Sequence, residues 1–311
     1  MTFSASTTAI TVTYNPDPVI LGNQLQCLNT QCKVIVIDNG SRKDLRDAIK
    51  KLCTRHDHMQ LIVLDENIGI SCAQNIGIQH VMETLPEALF VLLLDHDSLP
   101  NEEMVHDLEN EFQSLHESGH NIAAIGPLLY DPRDKKYLGF HVIQRGLWGK
   151  IIPMKNSGPI ECHSLNSSGS LISLDVLKEV GLLEKDFFMD HGETEWCFRA
   201  IDKGYKIYGS GRVIMNHRMG DEVCEYWFFG RKRMPYRSPQ RHYYIIRNSI
   251  ILQQRSYVPL TWKFWNIMKI LFTYSYFGFV SKESKEQRHF IWMGICDGLR
   301  SKTGKLHSQP Q

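Results

Sequence analysis

Two aspartates with one histidine between them, Asp95-His96-Asp97, end a run of five apolar residues from Phe90 to Leu94. Carboxylates this close either repel one another or share something positive, most often a divalent cation with oxygen ligands. A solvated aspartate pair opening the loop before Pro100 and Asn101 is the other reading, because Asp-x-Asp is short enough to arise by chance. Asp38 stands ahead of Asn39-Gly40, where a carboxylate accepts a ligand's N–H or simply forms a turn. Asp190, Glu193 and Glu195 gather where an apolar stretch turns helical. The helix dipole favours carboxylates there whatever they do, and a carboxylate is also able to take a proton. His217 reads equally as a metal ligand, a cap or a core histidine.

These groups need a frame that brings strand ends together. Ala9–Tyr14, Lys33–Asp38, Met59–Leu64 and Ala88–Asp95 read as strands, alternating with helical stretches Val19–Leu28, Lys43–Arg55 and Ile70–Leu85. Such alternation gives a single Rossmann-like α/β domain with a mostly parallel, doubly wound sheet, whose ligands gather at the carboxyl ends of its strands. The unbroken run at Phe90–Leu94 suits a central strand covered on both faces. Asn101–Ser118 reads as a helix and Ile122–Leu129 as a strand, whereas Tyr130–Leu165, rich in Gly, Pro and aromatics, reads as irregular binding loops. Order returns at Asn166–Ile172, Asp175 caps a short helix ending near Gly181, and Tyr205–Met215 supplies one or two short strands. Asn216-His217-Arg218-Met219-Gly220 closes the domain. There is no Gly-x-Gly-x-x-Gly and no Walker loop, which removes the main support for dinucleotide and P-loop readings.

A net charge of +1 over 311 residues hides a strong asymmetry. Between Tyr226 and Lys282 there are ten Lys or Arg and no Asp or Glu, so the rest of the chain is strongly acidic on balance. The carboxyl-terminal part is therefore expected to face an anionic surface. The cysteines show no Cys-x-x-Cys and no zinc-type spacing, as free thiols in a reducing cytoplasm would. Met1–Thr8 has no secretory pattern, and no uncharged apolar run is long enough to predict a spanning helix.

Taken in order, Asp38 after a buried strand, Asn67-x-Gly69 with Asn75-x-Gly77, Asp95-His96-Asp97, Ser168-Gly169, Glu193-x-Glu195-Trp196 and the later His217 resemble family 2 inverting glycosyltransferases of the A-type fold. The resemblance runs from about Ile10 to Gly220. Within that family the chain is most similar to bacterial rhamnosyltransferases of polysaccharide and O-antigen assembly. Those carry Asp-His-Asp-Ser, as here, and Tyr-Tyr-x-x-Arg-Asn, as at Tyr243-Tyr244-Ile245-Ile246-Arg247-Asn248.

The resemblance implies an inverting, metal-dependent transferase for a nucleotide diphosphate sugar, with dTDP-L-rhamnose the expected donor and a lipid-linked saccharide the acceptor. It places a divalent metal, Mg2+ or Mn2+, on Asp97, Asp95 and His217, with Asp97 the more important aspartate. It places the nucleotide at Tyr14, Asp38, Asn67, Gly69, Asn75, Asp95 and His96, with Asp38 accepting the imide N–H of a uracil or thymine. Ser168, Gly169, Trp148, Glu195 and Trp196 fall on the sugar and acceptor side. The catalytic base falls on Glu193, with Asp190 and Glu195 as alternatives. Relatives usually carry Asp at this position and often an acidic residue where this chain has Gly192. A UDP-sugar-dependent galactosyl, galactofuranosyl or N-acetylglucosaminyl transferase is the alternative within the class, and a catalytically silent scaffold for nucleotide sugar or lipid is the alternative outside it.

The division expected is residues 1–225 as catalytic domain and 226–311 as a basic, aromatic, helical region on the inner face of the cell membrane. Leu260–Val280 would place Leu260, Phe264, Ile267 and Leu271 on one face, with Asn266, Lys269 and Thr273 opposite. Trp262, Trp265, Tyr274 and Tyr276 add rings suited to the headgroup level. A helix packed on the protein's own core would show the same stripe. Nucleic acid is not an expected partner, because the aromatics sit beside Leu and Ile and no nucleic-acid module is present.

Overall fold

The computed structural model describes residues 3–154, 156–217, 223–227, 231–281 and 283–306. The chain opens with strand β1 (Ser4–Thr13), helix α1 (Pro18–Asn29), β2 (Cys32–Asp38), α2 (Lys43–Cys53), β3 (Met59–Val63), α3 (Ile70–Thr84), β4 (Phe90–Asp95), α4 (Met104–Glu117) and β5 (Ile122–Asp131). α1 starts where expected because Asp17 caps it, accepting from the Val19 and Ile20 amides, and Pro18 presets the first helical φ. β3, β2, β1 and β4 pair in parallel, which brings the ends of β2 and β4, carrying Asp38 and Asp95, to the same edge. Along β4, Val91 and Leu93 enter one hydrophobic core while Leu92 and Leu94 enter the other. All four are essentially inaccessible to solvent, the condition an unbroken apolar run requires, and each contributes about 1.5–3 kcal/mol of burial.

The chain continues through a further set of strands and helices. These are β6 (Lys136–Leu138), β7 (Phe140–Gln144), β8 (Leu147–Ile151), β9 (Ile160–Cys162), β10 (Leu171–Ser173), α5 (Leu174–Val180), α6 (Gly192–Asp202) and β11 (Lys206–Asn216). β10 runs antiparallel between β4 and β5, β11 is parallel to β5, and β9 closes the edge antiparallel to β11. The Tyr130–Leu165 stretch is thus not irregular: it supplies β6, β9 and a separate β7–β8 hairpin. The hairpin turns on Arg145 and Gly146, both at positive φ, where Asn-Gly would have been the recognisable signal. The cap of α5 is Ser173, whose side chain accepts from the Val176 amide, and Asp175 lies inside the first turn instead.

The remaining elements are strands β12 (Val223–Trp227) and β13 (Arg231–Pro235), paired antiparallel, then α7 (Pro239–Gln253), α8 (Leu260–Phe279) and α9 (Ser284–Leu299). The expected close at Arg218-Met219-Gly220 lies outside the described residues, as do Phe228, Phe229 and Lys282 of the basic aromatic stretch. α7 packs against α9 and α8, and α8 also lies against β8. On α8 the expected stripe forms and faces outward: Leu260 is 80% exposed, Phe264 68%, Ile267 47% and Leu271 55%. Asn266, by contrast, is buried, donating to Ser249 Oγ at 3.1 Å and accepting from Gln253 at 3.2 Å. A helix packed by its apolar stripe would show the reverse. Trp262, expected at a headgroup level, is core, packed edge-on to Phe198 and His191. Among the described residues no helix is long and apolar enough to cross a membrane.

Candidate active site

At the edge where β4 ends, Asp95, Asp97 and His217 offer ligand atoms that all lie within 4.8 Å of one another. No other group of three such side chains meets this criterion among the described residues. A linked set of hydroxyls holds them. The Asp95 amide donates to Ser168 Oγ at 3.0 Å, Ser168 Oγ lies 2.6 Å from Ser98 Oγ, and Ser98 Oγ lies 2.8 Å from His217 Nδ1. With Nδ1 so engaged, Nε2 is the nitrogen left for a metal, the arrangement that fixes a ligating histidine's ring and tautomer. Gln24 braces the same turn, donating to the Asp95 carbonyl at 2.7 Å and the Ser98 carbonyl at 2.6 Å. An antiparallel bridge from Leu99 to Asn216 ties the loop to the end of β11. Two carboxylates and an imidazole fit a hard or borderline divalent ion, with the imidazole favouring Mn2+ over Mg2+. Burial pushes the Asp95 carboxyl up; the nearby Asp97 adds to this while His217 and His96 oppose it. Burying carboxylates together without a cation is unfavourable, so this is a site built for positive charge.

The expected nucleotide residues divide. Asp38 is wholly buried at the end of β2, accepting from the Ser41 amide at 3.2 Å and lying 3.3 Å from Arg46 Nε; its Oδ2 accepts no hydrogen bond. Asn67 accepts from the Gly69 amide and from Asn39 Nδ2, and Asn39 in turn accepts from the Ile68 amide. Asn39, next to Asp38, is thus the organiser of this loop. Gly69 has φ +93°, and a Cβ there would meet the Phe188 carbonyl at 2.6 Å, so no other residue fits. Tyr14 is exposed just past β1, and His96 is half-buried between the two aspartates. Asn75 does not face this edge. It is buried in α3 and makes a two-way bond to the Leu183 backbone, at 2.8 Å and 3.0 Å, which locks α3 to the segment before α6.

The three carboxylates around α6 have very different surroundings. Glu195 is buried and fully committed: it accepts two bonds of 2.9 Å from Arg199 and one of 2.6 Å from the Tyr257 hydroxyl. Trp196 beside it is also buried, with Nε1 donating to the Gly181 carbonyl at 2.9 Å. Neither offers an atom to an acceptor; both brace the helix. Asp190 forms a fork with Arg241 of α7, both bonds at 3.1 Å. Burial pushes the Asp190 carboxyl up, but Arg241 more than cancels this and holds it below the usual carboxylate range. Glu193 has no side-chain hydrogen-bond partner among the described residues, and burial with the nearby Asp190 and Asp95 charges raises it to about 7. A carboxyl raised to this range is suited to exchange a proton near neutrality.

The backbone before Glu193 is bent through two consecutive left-handed residues, Asp190 at φ 61° and His191 at φ 70°. Such positions cost on the order of 1 kcal/mol or more and persist only when the surroundings impose them. α7 does so. Asn248 Nδ2 donates to the carbonyls of Met189 and Asp190, at 2.8 Å and 3.0 Å, and Ser249 Oγ lies 3.0 Å from His191 Nε2. At Gly192, where an acidic residue was the family expectation, an added Cβ would meet only the Ser71 hydroxyl, the rotatable end of a side chain. Asn248 belongs to the Tyr-Tyr-x-x-Arg-Asn stretch and was findable from it; Arg241 carried no signal. Ser168 is buried as a strut of the Asp95–Ser98 turn, and the adjacent Gly169 amide donates to the Leu93 carbonyl at 2.7 Å. Trp148 is buried in the β7–β8 hairpin, stacked on His141.

Residues 8–181 match the sequence profile of glycosyl transferase family 2. The chain is 30% identical over 302 residues to the dTDP-rhamnosyl transferase RfbF of Shigella flexneri, covering 95% of this chain and 96% of that one. It is 28% identical over 186 residues to the low-salt glycan biosynthesis hexosyltransferase Agl10 of Haloferax volcanii, covering 58% and 56% of the two chains. Among solved structures, S. aureus TarS 1-349 in complex with UDP-GlcNAc aligns with a TM-score of 0.56 at 16% identity, over 94% of this chain and 81% of that one. The mannosyltransferase PcManGT from Pyrobaculum calidifontis, in complex with GDP-Man and Mn2+, aligns at 0.55 and 14% identity over 96% and 88%.

Proposed function

The chain belongs to glycosyl transferase family 2 and is a glycosyltransferase, and we propose that it transfers L-rhamnose from dTDP-L-rhamnose, with inversion, to a lipid-linked glycan during cell-surface polysaccharide synthesis. The observation that carries the donor assignment is the 30% identity to a dTDP-rhamnosyl transferase along nearly the whole of both chains.

The metal would be held by Asp97, Asp95 and His217. When bound it neutralises the charge that develops on the departing nucleoside diphosphate. Asp38, held at the end of β2 beside Arg46, would take the imide N–H of thymine, and Tyr14, Asn67, Gly69 and His96 would line the nucleotide's path. Glu193 would take the proton of the acceptor hydroxyl as that oxygen attacks the anomeric carbon opposite the leaving group. Its near-neutral carboxyl supports this role, while the Arg241 fork on Asp190 and the Arg199 and Tyr257 bonds on Glu195 argue against the other two. Ser168 and Gly169 would reach the sugar from the loop they hold.

Residues 226–311 would seat the enzyme on the cytoplasmic face of the membrane, and the outward Leu260, Phe264, Ile267 and Leu271 support this, because an apolar stripe on solvent invites a lipid surface. The catalytic part, 1–225, is completed by this region through Arg241 and Asn248. The donor assignment is tested by incubating the protein and Mn2+ with dTDP-rhamnose, UDP-galactose, UDP-N-acetylglucosamine and GDP-mannose. Thermal stabilisation and nucleotide release with dTDP-rhamnose alone is the expected result. A response confined to a UDP- or GDP-sugar would reject it.

A further inference from the structure

A cavity of about 30 Å³ is lined by Ser168, next to the Asp95–Asp97 turn, and by His141 and Lys150 of the β7–β8 hairpin. His141 and Lys150 are cross-strand partners. His141 stacks on Trp148 with centroids 5.2 Å apart, and Trp265 of α8 meets Trp148 at 6.3 Å and His141 at 6.4 Å. One turn along α8, Lys269 places its Nζ 5.2 Å from the centre of the Trp265 ring. Two ammonium groups, one from β8 and one from α8, thus converge on a shelf of three rings.

Neither Lys150 nor Lys269 forms an ion pair among the described residues. Desolvation lowers Lys269; Asp190 opposes this, while Arg237 and Lys150 add to it. Desolvation lowers Lys150 as well, and burial together with both lysines drives His141 down to about 3. Asp190, the nearby carboxylate, is already taken by Arg241. Positive charge gathered on two exposed side chains without a matching carboxylate is the arrangement of an anion site. α8 also carries the outward apolar stripe, so the helix that would rest on lipid also carries one of the two cations.

We propose that Lys150 and Lys269 form a phosphate subsite for the acceptor, receiving the phosphate that joins the growing saccharide to its lipid. Trp265 positions Lys269 through its ring face. This rests on the lipid-linked acceptor proposed above.

The probe is farnesyl diphosphate, titrated into the full-length protein with Mn2+ and saturating dTDP, so that the donor site is filled. Relative to wild type, Lys150→Gln/Lys269→Gln is expected to weaken binding roughly tenfold or more, since each contact is charge-assisted. Lys150→Arg/Lys269→Arg should retain it, and dTDP affinity and sedimentation with phosphatidylglycerol vesicles should be unchanged in both. Equal affinity for farnesyl diphosphate in the wild type and the glutamine variant would overturn the subsite alone. A parallel loss of dTDP affinity would overturn it by assigning the lysines to the donor. Lost vesicle sedimentation with farnesyl diphosphate affinity intact would overturn it by assigning them to headgroups. A wild-type protein that binds dTDP but no farnesyl diphosphate would reject the lipid-linked acceptor itself, and the subsite with it.

Discussion

Glu193→Gln removes a single ionisable group and keeps its shape, so it separates chemistry from architecture. A positioned general base contributes about 10² to 10⁴ in rate, and the substitution is expected to lower kcat by that range while leaving the dTDP dissociation constant unchanged. The wild-type pH profile follows from the same carboxyl, raised to about 7. The base must be ionised, so kcat/KM should climb through about pH 7 and fall about tenfold per unit below it. Between pH 7 and 5.5 the loss is on the order of 15-fold. Stability moves the other way. A carboxyl whose folded value is raised gives stability that is complete below its unfolded value, near 4.5, and is lost as pH rises through about 7. That loss is at most about 3 kcal/mol, at about 1.36 kcal/mol for each pH interval of one. Glu193→Gln should therefore melt higher than wild type at pH 8 and no higher at pH 4.5. Rate profiles and thermal melts on the two proteins test both limbs. A glutamine variant of wild-type kcat, or a wild-type rate flat from pH 5.5 to 8, would refute the assignment.

Three other substitutions probe the supports. Ser98→Ala breaks the link between Ser168 and His217 Nδ1 and should weaken Mn2+ binding by about 10- to 100-fold, as loss of such outer partners does, with the fold intact by circular dichroism. Unchanged metal affinity would show that His217 is held otherwise. Asn248→Ala leaves the Met189 and Asp190 carbonyls unsatisfied at a strained bend. About 1–3 kcal/mol of stability should be lost, together with a fall in kcat and little change in donor KM. A loss of stability with kcat preserved would make Asn248 purely structural. Phe264→Glu/Leu271→Glu places charge on the outward face of α8, where no core contact is broken, and should abolish sedimentation with anionic vesicles at unchanged melting temperature. Continued sedimentation would reject the membrane face.

The sheet was legible because its strands advertise themselves. Phe90–Leu94 reads as central, and in the fold its residues alternate between two cores. That Asp95 and Asp97 share one edge with His217 was not legible from the strand alone, because His217 lies 120 positions on and meets them only through the fold. The β7–β8 hairpin was not, because Arg145-Gly146 lacks the usual turn chemistry and its strands pair with each other, away from the main sheet. Asn75, Glu195 and Trp196 have the right types for a site, yet each is consumed by a partner distant in sequence or hidden in geometry: the Leu183 backbone, Arg199 with Tyr257, and the Gly181 carbonyl. Arg241 escaped for the mirror reason. Its fork with Asp190 spans 51 positions, and nothing local marks it. On α8 periodicity gave the stripe correctly, but which side meets the protein is decided by Asn266 and Trp262 finding partners inside.

The central claim is that Asp97, Asp95 and His217 bind the donor's diphosphate through a divalent ion. It is tested most directly by calorimetric titration of dTDP into wild type and Asp97→Ala, each with Mn2+ and with chelator. Wild type should bind tightly only with the metal, and Asp97→Ala should bind weakly and identically in both conditions. Equal wild-type affinity with Mn2+ and with chelator would contradict the account.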